Sequence, residues 1–194
     1  MLIDVITWIP VLVVLALCLS LLVFQAITGT PSLSASHAEA IDVVALLREA
    51  GLPERATIYD LGSGWGKLVL ALAKEFPDAQ IVGIERSPFP YWISRLRTRR
   101  LPNVGLHRGD FHAFDLRDAH AVTCYLMTKR MPKLAKFLDD ALADNTPVVA
   151  LTFWFRGRKV SAVREGPGLR GAAALYRWPA HGHVTGGGSQ SPAR

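Results

Sequence analysis

Cysteine is nearly absent. The chain of 194 residues holds two, Cys18 inside an apolar run and Cys124 in a short core-like strand, so no disulfide framework can organise it. No set of His, Cys and Asp has metal-ligand spacing, and a structural or catalytic metal is not expected. Zinc-finger spacing and the aromatic-interleaved basic signature of an RNA-binding module are missing as well. There is no internal repeat. Acids are in deficit, 16 Asp and Glu against 22 Lys and Arg, for a formal net charge of +6. Such a balance suits a domain held against anionic headgroups and, equally, a nucleic-acid partner. The bases gather at Arg95, Arg97, Arg99 and Arg100 and again at Arg156, Arg158, Lys159, Arg164 and Arg170. Each cluster also reads simply as a solvated helix face or loop.

Charge is missing altogether from Val5 to Ile27. Trp8 to Ile27 alone would form a helix of roughly 30 Å, enough to cross a hydrocarbon core, with Trp8 placed as an interfacial anchor. Three readings fit the segment: a signal peptide, a buried core helix and a retained membrane anchor. A signal peptide lacks its basic leader, since only Asp4 precedes the run, and the run is long for its apolar stretch, although Ser34-Ala35-Ser36 mimics a cleavage site. A core helix should be shorter and less uniformly apolar. The expectation is therefore a transmembrane anchor and linker over residues 1–30, one domain over residues 31–178 and a disordered tail over residues 179–194, where Gly186-Gly187-Gly188-Ser189 lies. An Arg- and Ser-rich, acid-poor presequence is lacking, which points to a prokaryotic inner membrane. No Lys or Arg falls between the anchor and Arg48, so orientation is weakly specified, and the basic domain favours the cytoplasmic side.

What is present is an alternation of strand and helix. Ile41, Val44, Ala45, Leu47 and Leu52 form a helical stripe, with Ser36 as cap and Gly51-Leu52-Pro53 as stop. Strand Thr57–Asp60, helix Gly66–Phe76, strand Gln80–Glu85 and helix Phe89–Arg100 follow. Short strands are expected at Val104–His107, Ala121–Leu126 and Val148–Phe153, a helix at Pro132–Ala143, and a closing β-hairpin near Val160–Arg164 and Ala173–Trp178. This pattern predicts an α/β fold, a mostly parallel Rossmann-like sheet with helices on both faces.

Between the first strand and its helix stands Asp60-Leu61-Gly62-Ser63-Gly64-Trp65-Gly66. Glycine is needed where the turn is tight and a ligand must touch bare backbone. A dinucleotide requires G-x-G-x-x-G; here the third glycine comes one residue early and an acid sits two residues before the first. Glu85 ends the second strand, where a carboxylate can accept both hydroxyls of a ribose. Gly109-Asp110-Phe111 follows the third strand.

These residues resemble class I S-adenosylmethionine-dependent methyltransferases, over about residues 40–178. The resemblance implies that Asp60, Gly62, Ser63, Gly64 and Gly66 line the methionine end of the cofactor, that Glu85 holds its ribose and that Asp110 meets the adenine amino group. Arg86 and Phe111 are read as walls of the adenine site. A narrower likeness rests on the apolar anchor, a Thr30-Pro31 junction, Cys124-Tyr125-Leu126, Met131-Pro132-Lys133-Leu134 and Val148-Val149-Ala150-Leu151 in one order. It resembles the small membrane-anchored protein-lysine methyltransferases that modify the adenine nucleotide translocator and the ATP synthase c-subunit, with their prokaryotic relatives. Two departures are Trp65, where those enzymes usually carry Asp, and Phe153-Trp154-Phe155-Arg156 after the fifth strand.

The expected activity is S-adenosylmethionine-dependent methylation of a lysine on a membrane protein, without a metal and without a nucleic-acid partner, since the Asn/Asp-Pro-Pro-Tyr element of base amino-methyltransferases is missing. A phospholipid amine or another lipid-soluble acceptor is the alternative, and a non-catalytic cofactor-binding scaffold a further one. Tyr125 is the one catalytic candidate, to orient the amine; as a core residue it would have its hydroxyl tethered. Trp65 either packs on the first helix or covers the cofactor. His107 and His112 read as structural. Phe153, Trp154 and Phe155 beside Arg156, Arg158 and Lys159 are expected at headgroup level.

Overall fold

Ser36 starts the first helix of the domain as its sequence implies. Its hydroxyl accepts the Glu39 amide while the Glu39 carboxylate accepts the Ser36 amide at 2.6 Å. This capping box satisfies two orphan donors and opens α1, His37–Ala50; Gly51, left-handed at φ 71°, closes it. The buried stripe is Ala40, Val43, Val44, Leu46, Leu47 and Ala50. That is a rotation from the expected stripe, because Ile41 is 54% exposed. Residues 40–47 are apolar on nearly every side, so periodicity alone did not select the inward face.

The computed structural model describes residues 8–16, 18–19, 34–165 and 171–180. Residues 8–16 and 18–19 are helical with exposed apolar side chains. Among the described residues no helix is long and apolar enough to cross a membrane; the expected span reaches beyond them, as does the expected tail from residue 181.

The domain continues as β1 (Thr57–Leu61), α2 (Lys67–Glu75), β2 (Gln80–Glu85), α3 (Pro88–Thr98), β3 (Val104–Arg108), β4 (Ala121–Cys124), α4 (Met131–Ala141), β5 (Thr146–Leu151), β6 (Ala162–Arg164) and β7 (Ala173–Trp178). Short 3-10 turns stand at Phe111–Ala113 and Thr128–Arg130. The sheet order is β3-β2-β1-β4-β5-β7-β6. The first five strands pair in parallel, and β7 runs antiparallel between β5 and β6.

Alternation along each strand feeds two cores. Ile58, Val149 and Leu151 join Leu46 and Leu47 of α1 and Val69 and Leu72 of α2. Tyr59, Leu61, Val148 and Ala150 join Leu134 and Leu138 of α4 on the other face. Both faces of the sheet are thus covered, which is why its strands are almost wholly apolar.

Five strands differ from the expected bounds: β1 and β3 each run one residue further, to Leu61 and Arg108, and β6 begins at Ala162 rather than near Val160. β4 ends at Cys124 rather than Leu126. β5 starts two residues early because Pro147 sits outside the β4 ladder, which begins at Val148, and pairs only with Arg177 of β7. It ends where Thr152 turns left-handed at φ 65°.

The register positions the site. Leu61 lies opposite Ile84 and Cys124, Glu85 opposite Arg108, and Cys124 opposite Ala150. The residues that follow these strand ends therefore meet at one edge of the sheet. The strand order reverses between β1 and β4 there, which opens the crevice in which such sheets bind ligands.

Candidate active site

Past Leu61 the chain turns through Gly62, Gly64 and Gly66, with φ of 80°, 52° and 75°. A side chain in that left-handed region costs about 1–2 kcal/mol. Two of these glycines also answer to neighbours. A Cβ on Gly62 would lie 2.7 Å from Leu126 Cδ2, and one on Gly66 only 2.1 Å from Ser94 Oγ of α3. Gly62 thus lets the segment after β4 fold over the loop, while the bare face of Gly66 is taken by α3.

The loop's amides are engaged inside the protein. Gly62 and Ser63 both donate to the Ile84 carbonyl, at 2.9 and 3.1 Å, and Gly66 donates to the Ser63 carbonyl at 3.0 Å. The Gly64 amide donates to Glu85 Oε2 at 2.8 Å. A diphosphate needs such groups turned outward, and here it would also face two carboxylates. The Ser63 hydroxyl, by contrast, is buried and has no hydrogen-bond partner among the described residues.

Glu85 is 8% exposed, so it is no solvated loop acid. Its Oε1 accepts the Ser87 amide at 2.6 Å, and a carboxylate with about four lone-pair sites retains capacity for a diol. Asp60 is 2% exposed and does not cap the turn; its Oδ1 accepts from Thr123 Oγ1 of β4 at 2.9 Å. Burial pushes the Asp60 carboxyl up to about 7; the Thr123 hydrogen bond opposes this and the Glu85 charge adds to it. A nearby cation would relieve that strain. Two buried carboxylates, one unpartnered hydroxyl and a loop with inward amides fit a cationic amino-acid end and a ribose, the chemistry of S-adenosylmethionine. Behind Asp60, burial raises the Cys124 thiol far out of the nucleophilic range.

Asp110 caps the turn Phe111–Ala113, accepting the His112 amide at 3.1 Å and standing 2.7 Å from His112 Nδ1. Partial burial pushes its carboxyl up, but His112 and then Arg86, 3.7 Å away, outweigh this and hold it below the usual range. Phe111 is buried and stacked on His112, ring centroids 4.4 Å apart. Arg86 is exposed. Asp110 is thus an N-cap, and His112 is its partner, the structural part expected of that histidine.

Trp65 meets the edge of Phe89 at 5.6 Å, and its carbonyl accepts from Arg97. It packs on α3. Tyr125 follows Cys124 at the sheet edge, its ring 6.3 Å from Phe153. A tethered hydroxyl was expected, yet no hydrogen bond holds it among the described residues. Of the residues expected at headgroup level, Arg156 and Lys159 are exposed and Phe153 and Trp154 half-buried, while Phe155 turns inward. Phe155 is buried edge-on against Tyr176 and Trp178, and Trp154 donates its indole N–H to the Ala172 carbonyl. Arg158 stacks on Trp178 and pairs with Asp139.

Sequence reasoning passed over Thr123, which holds Asp60, and Ser87, whose amide holds Glu85. The signal for Thr123 was a lone hydroxyl in the apolar run Ala121-Val122-Thr123-Cys124. Nothing local marked Ser87.

Residues 60–162 match the family model described as ANTKMT methyltransferase domain. The ATP synthase c-subunit lysine N-methyltransferase of Mus musculus is 34% identical over 132 residues, 64% of this chain and 49% of that protein. A protein-lysine N-methyltransferase of Saccharolobus islandicus is 29% identical over 134 residues, 62% of this chain and 79% of that protein. The chain spans about half the length of the vertebrate relatives it matches. Among solved structures, an RNA methyltransferase from Salinibacter ruber in complex with S-adenosyl-L-homocysteine superposes with a TM-score of 0.67 at 26% identity, covering 74% of this chain and 92% of that one. With the motif, the register and these likenesses in agreement, the chain belongs to the ANTKMT family of S-adenosylmethionine-dependent methyltransferase domains.

Proposed function

We propose that this chain is a membrane-held protein-lysine N-methyltransferase. The observation that carries the reading is the strand register that sets Asp60, the Glu85-tied glycine loop and Tyr125 side by side at the switch point. When bound, S-adenosylmethionine supplies a methyl group already activated on a sulfonium sulfur. Asp60 balances the positive amino-acid end, Ser63 offers its hydroxyl, Glu85 accepts from the ribose, and Asp110, Arg86 and Phe111 border the adenine.

The acceptor imposes a second demand. Lysine has a reference pKa near 10.4, so presenting it as a neutral amine at pH 7 costs about 4–5 kcal/mol at 1.36 kcal/mol per unit. A dry acceptor site lowers that cost by desolvating the ammonium. Leu126 over Gly62 and Phe153 beside Tyr125 supply apolar walls at this edge, and the Tyr125 hydroxyl can orient the amine.

Membrane attachment is supported by the uncharged run Val5–Ile27, and a membrane-embedded acceptor by kinship with the ATP synthase c-subunit lysine enzyme. Incubating host membranes with the full chain and methyl-labelled S-adenosylmethionine should place acid-stable label in a membrane-protein band, on lysine after hydrolysis. Label recovered only in extracted lipid, or nowhere, would overturn the reading.

A further inference from the structure

A basic face with exposed apolar side chains stands on α3. Between Glu85 and Asp110 the chain carries Arg86, Arg95, Arg97, Arg99, Arg100 and Arg108 and no acidic residue. Helix α3 buries Tyr91, Ser94 and Thr98. Its opposite stripe, spaced by three and four residues, is Trp92, Arg95, Leu96 and Arg99. Trp92 is 54% and Leu96 58% exposed. Among the described residues outside 8–19, the only other exposed large apolar side chains are Val163 and Ile41 of α1, and Ile41 lies in an apolar cleft between α1 and α2, in the helix layer to which α3 belongs.

The arginines divide by task. Arg97 donates to the Trp65 carbonyl and Arg86 faces Asp110. Arg95 lies over the Trp92 ring, 5.5 Å from its centroid. None of Arg95, Arg99 and Arg100 has an acidic partner among the described residues. A base in the last helical turn complements the macrodipole, but that does not account for an exposed tryptophan and leucine between the bases. An apolar strip with an indole, rimmed by arginines whose stems can lie flat while their heads reach phosphate, is the pattern of a helix resting in a bilayer interface.

We infer that α3 is a second membrane contact: its Trp92–Leu96 strip enters the interfacial layer, and Arg95, Arg99 and Arg100 bind anionic phospholipid headgroups. This rests on the proposed membrane attachment and adds to it the side of the domain that faces the lipid. The glycine loop, through Trp65 on Phe89 and Arg97, is tied to the same helix.

The test uses the full chain with Cys18→Ser in vesicles, since Cys124 is buried. A nitroxide is attached at Leu96→Cys and, as reference, at Asp140→Cys on α4. In vesicles with a third phosphatidylglycerol, the label at 96 should favour oxygen over a water-soluble nickel relaxant, and the label at 140 the reverse. Arg95→Gln, Arg99→Gln and Arg100→Gln together should shift the label at 96 towards water, by about fivefold per arginine and on the order of a hundredfold for all three. The inference is overturned if the label at 96 is as water-accessible as that at 140. It is also overturned if protection appears only on adding single-stranded RNA or a membrane protein. Methyl transfer to host membranes by the same labelled chains separates the two claims. Intact transfer with a wet label at 96 removes this contact alone, and a lipid-buried label without transfer removes the enzymatic reading alone.

Discussion

Asp60 couples the site to pH. Its carboxyl is raised to about 7 by burial, so the folded chain holds a proton that the unfolded chain would release. Its contribution to stability is full below about pH 4 and is lost as pH rises through about 7. Urea midpoints of the wild type should therefore fall relative to Asp60→Asn across that window. Cofactor affinity should run the other way, because a cationic ligand selects the ionised carboxylate. Calorimetry should show binding weakening below pH 7, by up to tenfold per unit, with Asp60→Asn weaker but flat. Glu85→Gln keeps one oxygen for the Gly64 or Ser87 amide and loses the charge that would hold the ribose. It should weaken binding by about 10- to 150-fold, the 1.5–3 kcal/mol of a charge-assisted bond, in the same calorimetric measurement. Both acids were legible from their places beside the first glycine and at a strand end. Thr123 was marked only by a lone hydroxyl in an apolar run, and a β-branched residue in a strand gains meaning once the buried carboxylate beside it is seen.

At the scale of elements, the contact between Gly66 and Ser94 joins the loop, α2 and α3. Gly66→Ala places a methyl group at φ 75° and within 2.1 Å of Ser94 Oγ. The backbone cost is about 1–2 kcal/mol and the overlap about 1–3 kcal/mol. In a urea double-mutant cycle with Ser94→Gly, only the overlap should be recovered, leaving the backbone cost in place. The start and stop of α1 were readable because capping is local: Ser36 opens it and Gly51 closes it. Strand ends were less so. β5 stops because Thr152 leaves the extended region, and β4 stops at Cys124, two residues before Leu126 reaches Gly62. The inward stripe of α1 was misplaced by one position, since a run apolar on nearly every side carries little phase.

For the whole molecule, the proposed tethering is what a truncation tests. If residues 1–30 hold the domain at the bilayer, removing them should leave S-adenosylmethionine affinity within about twofold. Methylation of a membrane-embedded acceptor should fall by about 100-fold or more, because confinement raises effective concentration without a new contact. A soluble lysine peptide should be methylated equally by both forms. Retained activity of the truncated chain on detergent-free membranes would exclude a tethering role.

The sequence by itself determined the alternation of strands and helices, the glycine turn, the acids that flank it and the uncharged run at residues 5–27. Each follows from neighbours a few residues apart: side-chain period, φ preference and capping. Tertiary structure alone decided that Asp60, Glu85, Asp110 and Tyr125 share one edge. It also decided that Phe155 and Arg158 turn inward while Trp92 and Leu96 turn outward. Register and burial come from contacts between residues distant in the chain, and an aromatic beside an arginine looks alike from within its own segment, whether a core or a bilayer awaits it.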